Sequence, residues 1–300
     1  MRRFFKFVGL LLLLVVLAAG ALLGYAWWRS DQAMARRIEL PAATLVVDGS
    51  AAQVERGKHL AETRGCMGCH AVDFSGHTVI DSGAIGHMVA PNITRGAGGK
   101  GTPYDANKLE HAVRHGVAHD GRPLLFMPAY DFAGWSDDDV AALAAYFAQV
   151  PPVDKTQPPS DVGPLGRVLW LFGKFPLLPV DMVPKDTGPI AAPVAAVTPE
   201  YGKYVAQSCI GCHGAGYSGG HIPGTPPDFK DPQNLTPHET GLAKWSEDDF
   251  LRAMREGKRP DGSALDPFMP WKEFARMDDT ELRALWAYLR TVPPKPFGQR

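Results

Sequence analysis

The sequence predicts an all-α protein: two tandem helical domains behind an N-terminal transmembrane helix. Three observations carry that prediction. An uncharged run at positions 7–28 is long enough to cross a bilayer. A unit of about 100 residues occurs twice, a spacing too long for a solenoid and suited to two homologous domains. Within each unit the apolar residues recur at helical spacing, and strand alternation is negligible. The expected boundaries are 1–30 for the anchor, 48–153 for domain 1, 154–195 for a linker and 196–296 for domain 2.

Composition narrows the classes further. The 300 residues are 45% hydrophobic and 21% charged with a formal net charge of −1, which excludes a disordered chain and a polybasic nucleic-acid binder. With 32 glycines and 27 prolines, the helices should be short and the loops long. Four cysteines are too few for a disulfide scaffold.

The N-terminal run has 22 residues, about 33 Å of helix against a hydrocarbon core of about 30 Å. Arg2, Arg3 and Lys6 precede it, and Trp27, Trp28 and Arg29 close it. The positive-inside rule leaves the first three in the cytoplasm and exports the rest. Ala33-Met34-Ala35 resembles a signal-peptide cleavage site, but the apolar region of a cleaved signal is usually about 7–15 residues. The expectation is an uncleaved, single-pass anchor in a bacterial inner membrane, with both domains in the periplasm.

The repeat keeps its register. Cys66 maps to Cys209 at an offset of 143, Asn92-Ile93-Thr94 to Asn234-Leu235-Thr236 at 142, and Phe126-Met127-Pro128 to Phe268-Met269-Pro270 at 142. In domain 1, Val140, Leu143, Ala144 and Phe147 form an apolar stripe after the acidic turn 137–139; Leu282, Leu285, Trp286 and Leu289 do the same after Asp278-Asp279. Both helices should stop before Pro151 and Pro293. Inner helices are expected over 105–115, ending at Gly116, and over 246–256, ending at Gly257. Others lead into the cysteines, near 54–63 and 199–207.

All four cysteines lie in one motif used twice: Cys66-Met67-Gly68-Cys69-His70 and Cys209-Ile210-Gly211-Cys212-His213. C-x-x-C-H is the attachment pattern of c-type haem. Two thiols so spaced on a helical turn reach the two vinyl groups of one haem, and the adjacent histidine is directed at the iron. A four-cysteine zinc site would give neither histidine a role, and a thioredoxin-like pair would need a βαβ context. The expectation is two covalently bound haem c groups, with Cys66, Cys69, Cys209 and Cys212 as attachment points and His70 and His213 as iron ligands.

Spacing nominates the ligands on the far side. Met127 lies 57 residues after His70, and Met269 lies 56 after His213, each between Phe and Pro on a loop between helices. One such methionine would ordinarily be core filler; two in register point to axial ligation. Asn92 and Asn234 recur as well, and a haem propionate is their expected partner. His111, His115 and His119 lack a completing carboxylate or cysteine and read as a solvated helix face. The linker holds ten prolines between residues 151 and 193, so it should be extended and stiff rather than helical. Its apolar stretch 165–178 is too short to span a bilayer; packing between domains, dipping into the membrane interface and docking a subunit are the open readings.

With these residues in hand, the chain resembles a membrane-anchored dihaem cytochrome c. Its second half is similar to the cytochrome subunits of periplasmic alcohol and gluconate dehydrogenases, through Asn234-Leu235-Thr236-Pro237, Gly241-Leu242, Trp245-Ser246, Asp261-Gly262, Met269-Pro270 and the run 278–294. The resemblance implies electron collection from a quinoprotein or flavoprotein and delivery to quinone or an oxidase. Those subunits carry three haems and a C-terminal anchor, whereas this chain offers two motifs and an N-terminal run. Dihaem subunits of terminal oxidases share its layout. The expected activity is electron transfer rather than catalysis, between a dehydrogenase or quinol-linked donor and an oxidase or soluble cytochrome. A dihaem peroxidase is the rival.

Overall fold

The computed structural model describes every residue except Pro103, 185–187 and Pro227. Helix α1 (Arg2–Ala35) continues past the expected end at residue 30, because nothing breaks it until Arg36 turns extended. Among the described residues it is the one helix long and apolar enough to cross a membrane. Its side chains are exposed until Ala26, Ser30 and Ala33, which form one buried face.

Domain 1 begins with α2 (Ala51–Thr63), capped by Ser50, and α3 (Cys66–His70), the first motif. Helix α4 (Ala106–His115) is capped by Asp105 and ended by Gly116 in the left-handed region. Helix α5 (Asp137–Phe147) starts at its acidic turn, which suits the positive end of the helix dipole. The all-α expectation needs correction here. Strands β1 (His77–Ser82) and β2 (Gly86–Ala90) form an antiparallel hairpin, joined by β3 (Asp161–Val162). The register shifts between Thr78 and Ile80, and that irregularity erases the two-residue period by which a strand is recognised.

The linker expectation is also corrected. Helix α6 (Pro164–Leu171) forms inside it, with Pro164 in the first turn, where the missing N–H costs nothing. The preceding stretch is no free spacer: Lys155 and Gln157 bond the Ser75–Gly76 corner, and Ser160 bonds Val89. Of the stretch expected to be extended, 185–187 lies outside the described residues.

Domain 2 repeats the helical plan with α7 (Pro199–Val205), α8 (Ile210–His213), α9 (Glu247–Glu256), α10 (Trp271–Phe274) and α11 (Asp279–Leu289). Helices α9 and α11 both open with a complete capping box. In each domain the first helix crosses the last at a glycine. A Cβ on Gly57 would overlap the carbonyl of Ala142 in α5, and one on Gly202 that of Ala284 in α11. These crossings carry the two cores, built on Leu60, Val140 and Leu143 in domain 1 and on Tyr201, Leu282 and Leu285 in domain 2.

The domains meet through charged groups. Glu281 of α11, fully buried, bonds His59 at 2.7 Å and Arg64 at 2.6 Å. Burial alone would push its carboxyl up, but the His59 hydrogen bond and the Arg64 charge hold it at about 2. Tyr204 of α7 donates to Asp139 of α5 at 2.7 Å, and Arg56 closes on the same carboxylate.

Candidate haem sites

Each motif is fixed by the same bonds. The Nδ1–H of His70 donates to the carbonyl of Pro91 at 2.9 Å, and that of His213 to Gln233 at 2.7 Å. Burial depresses both imidazoles, that of His213 to about 4, so each ring is neutral and its Nε2 lone pair is free for a metal. The chain then turns sharply. Ala71 and Gly214 take positive φ, as do Phe74 and Tyr217 three residues on. That conformation is costly for an aromatic residue, and here it lets Gly76 and Gly219 donate back to the carbonyls of His70 and His213. Burial pushes the Cys66 and Cys209 thiols up to about 12, which rules against free reactive thiolates.

In domain 1 these groups line a cavity of about 480 Å³. Cys66, Cys69 and His70 reach it from α3, and Met127 from the loop after α4. In domain 2, Cys209, Ile210 and Met269 pack against one core cluster. The two methionine loops run alike: Leu124 bonds back to Gly116 and Leu265 to Gly257, both at 2.7 Å, and Ala129 and Trp271 donate to the carbonyls of Met127 and Met269. A neutral, oriented histidine, two paired thiols, a thioether and an apolar cavity are a donor set suited to a covalently held haem.

A sequence profile of the family described as cytochrome c matches residues 54–151 and 199–293. The chain belongs to the cytochrome c family. It is similar to the alcohol dehydrogenase (quinone) cytochrome c subunit of Gluconobacter oxydans, 26% identical over 84% of this chain and 57% of the relative. It is similar to the gluconate 2-dehydrogenase cytochrome c subunit of Pantoea cypripedii, 29% identical over 83% of the chain and 61% of the relative. The chain thus spans about three-fifths of the length of these dehydrogenase subunits. A diheme cytochrome c-type protein of Cereibacter sphaeroides is 27% identical over 82% of the chain and 88% of the relative. This cytochrome c carries two covalently bound haem c groups, one per matched segment.

The asparagines do something other than expected. Both amide hydrogens of Asn92 go to the carbonyls of Val153 and Lys155; those of Asn234 go to the carbonyl of Lys295 and the hydroxyl of Thr240. Their oxygens accept from Thr94 and Thr236. Both side chains are buried and fully engaged, so neither has a donor left for a propionate. They latch the segment after the last helix of each domain onto the loop whose preceding carbonyl orients the motif histidine.

Polar groups that line the domain 1 cavity include Arg95, Lys100, Tyr104, Asp105 and Arg122, the last paired with Asp120 at 2.7 Å. The repeat conceals them, since position 237, the counterpart of Arg95, is proline. Met88, on β2, lines the cavity as a second thioether. The histidine series is not a uniformly solvated face: His115 is buried with Glu110 at 3.1 Å, His111 faces the Pro41 carbonyl, and His119 lines the cavity.

Proposed function

We propose that this chain is a membrane-anchored dihaem relay in which the same residue types would hold each iron, His70 and Met127 in domain 1 and His213 and Met269 in domain 2. Cys66 and Cys69 attach the first haem, and Cys209 and Cys212 the second. When bound, the haem iron supplies reversible one-electron chemistry. The protein's part is to hold a neutral imidazole and a soft thioether at fixed positions, exclude water and offer docking surfaces. Thioether ligation favours the ferrous state and raises the potential. Arg95, Lys100 and Arg122 supply the positive charge that the haem carboxylates of domain 1 require.

The observation that carries this reading is the repeated histidine geometry, each ring pinned at Nδ1 and neutral, with a methionine loop of the same path in each domain. Chain geometry also supports transfer between domains. The Met127 loop leads directly into the turn Ala129–Asp131, and Asp131 lies against Gly211 inside the second motif. The dehydrogenase subunits among the relatives support a periplasmic dehydrogenase as donor; a quinol-linked donor, and an oxidase or soluble cytochrome as acceptor, belong to the same proposal. Helix α1 anchors the assembly in a bacterial inner membrane. A peroxidase would need one domain without a methionine, and both domains offer one.

Substitution tests the ligands. Met127→His should lower the potential of the first haem only and remove part of the far-red methionine-to-iron band; Met269→His should do the same for the second. Met88→Leu should leave band and potentials in place. If Met88→Leu removes the band and Met127→His does not, the ligand assignment in domain 1 is wrong.

A further inference from the structure

Helix α6 has no counterpart in domain 2 among the described residues, and electron transfer does not require it. It packs against α1 at the level where the apolar run ends. The buried face of α1 is Ala26, Ser30 and Ala33, all small residues that let another helix approach closely. Ala26 lies two residues inside the run, about 3 Å short of its end at Trp28. Arg167 of α6 locks the contact. It donates to the Ser30 hydroxyl and to Asp31 at 2.6 Å, and its guanidinium lies 4.0 Å from the centroid of the Trp27 ring.

On the other side α6 is fastened to domain 1. Phe175, Leu177 and Leu178, just after it, form one cluster with Ala33, Met88 of β2 and Val162 of β3. Helix α6 is therefore held on two sides and cannot lift away from α1 without disturbing the sheet. Yet Leu165 at its start is 45% exposed and Phe172 at its end 60% exposed, beside the exposed Lys174. Trp27 and Trp28 are 46% and 58% exposed at the same level. Large apolar groups beside a cation and interfacial tryptophans are the composition of a helix lying in a headgroup layer.

We propose that α6 is a second membrane contact: Leu165 and Phe172 lie in the phospholipid headgroup–acyl boundary, and Lys174 faces the phosphates. The occupant is the bilayer itself, because Arg167 locks α6 to Trp27, Ser30 and Asp31 where the membrane run ends. Domain 1, with the first haem site, is thereby held at a fixed height and orientation on the membrane, rather than swinging on a single helix.

The inference rests on the membrane reading of α1, and the test separates the two. The native cysteines are consumed as thioethers, so a single introduced cysteine in the full-length holoprotein is unique. Phe172→Cys, Leu14→Cys and Lys258→Cys are each placed in nanodiscs of phosphatidylethanolamine and phosphatidylglycerol and treated with a charged maleimide. Lys258→Cys should label readily; Leu14→Cys and Phe172→Cys should each label about tenfold more slowly or worse, because a thiolate does not form in lipid. In detergent-free buffer containing denaturant all three should label alike. If Phe172→Cys labels as fast as Lys258→Cys while Leu14→Cys is protected, the second contact is wrong and the anchor stands. If Leu14→Cys also labels fast in the nanodisc, the anchor reading fails and takes the inference with it.

Discussion

Domain 1 and domain 2 hold their motif histidines by identical bonds and surround them with different charges. In both, Nδ1 is tied to a carbonyl 20 or 21 residues on, the next residue is a buried asparagine, and a glycine N–H returns to the histidine carbonyl. Beyond that frame they diverge. Domain 1 adds the β1–β2 hairpin and lines its cavity with Arg95, Lys100 and Arg122. Domain 2 receives Asp131 from its neighbour, and Arg300 donates to the carbonyls of Gly211, Cys212 and Gly220. The lesson is that the histidine frame belongs to the repeat, whereas the electrostatic setting belongs to each domain. The two haems should share a ligand set and differ in how they respond to nearby charge.

The sharpest way to break the shared frame is to cut its latch. Asn92→Ala leaves the Lys155 carbonyl and the Thr94 N–H without their side-chain partner and removes one of the two bonds to the Val153 carbonyl, a loss of about 1–3 kcal/mol. Asn234→Ala should cost a similar amount in domain 2. Each should lower the thermal midpoint of its own haem's far-red band in a melting experiment and leave the other band close to wild type. Equal losses in both bands from either variant would mean that the domains do not carry independent frames.

A smaller effect sharpens the difference. Burial pushes the Asp131 carboxyl up to about 7, against the pull of the Gly211 N–H. As pH falls through that value the side chain gains a proton and loses its negative charge beside the second motif. The ferrous state is then favoured, so the second haem's potential should rise with falling pH near 7, and the first should follow it less. Asp131→Asn should flatten the second slope. A slope unchanged in that variant would assign the coupling to another group.

Much of this was legible in sequence because its signals are local. Ser246 with Asp249 and Asp278 with Glu281 are caps whose bonds form within one turn, and Gly116 and Gly257 mark helix ends by conformation alone. The two C-x-x-C-H motifs are equally local. What escaped depends on partners far along the chain. The β1–β2 hairpin was hidden by its own register shift, and α6 by the prolines around it. The Asn92 and Asn234 side chains look available until the segments 61 to 63 residues later close over them. Asp131 reads as an ordinary loop acid, and only the packing of the turn Ala129–Asp131 against α8 brings it to the second motif. Gly57 and Gly202 look like weak points in helices, although each is a crossing where no side chain fits.

The most direct test of the central claim is a spectroelectrochemical titration of the full-length protein in a bilayer. The account predicts two one-electron waves of low-spin haem, each losing its own share of the far-red methionine-to-iron band on reduction. A single wave, or a high-spin signal in either one, would contradict it.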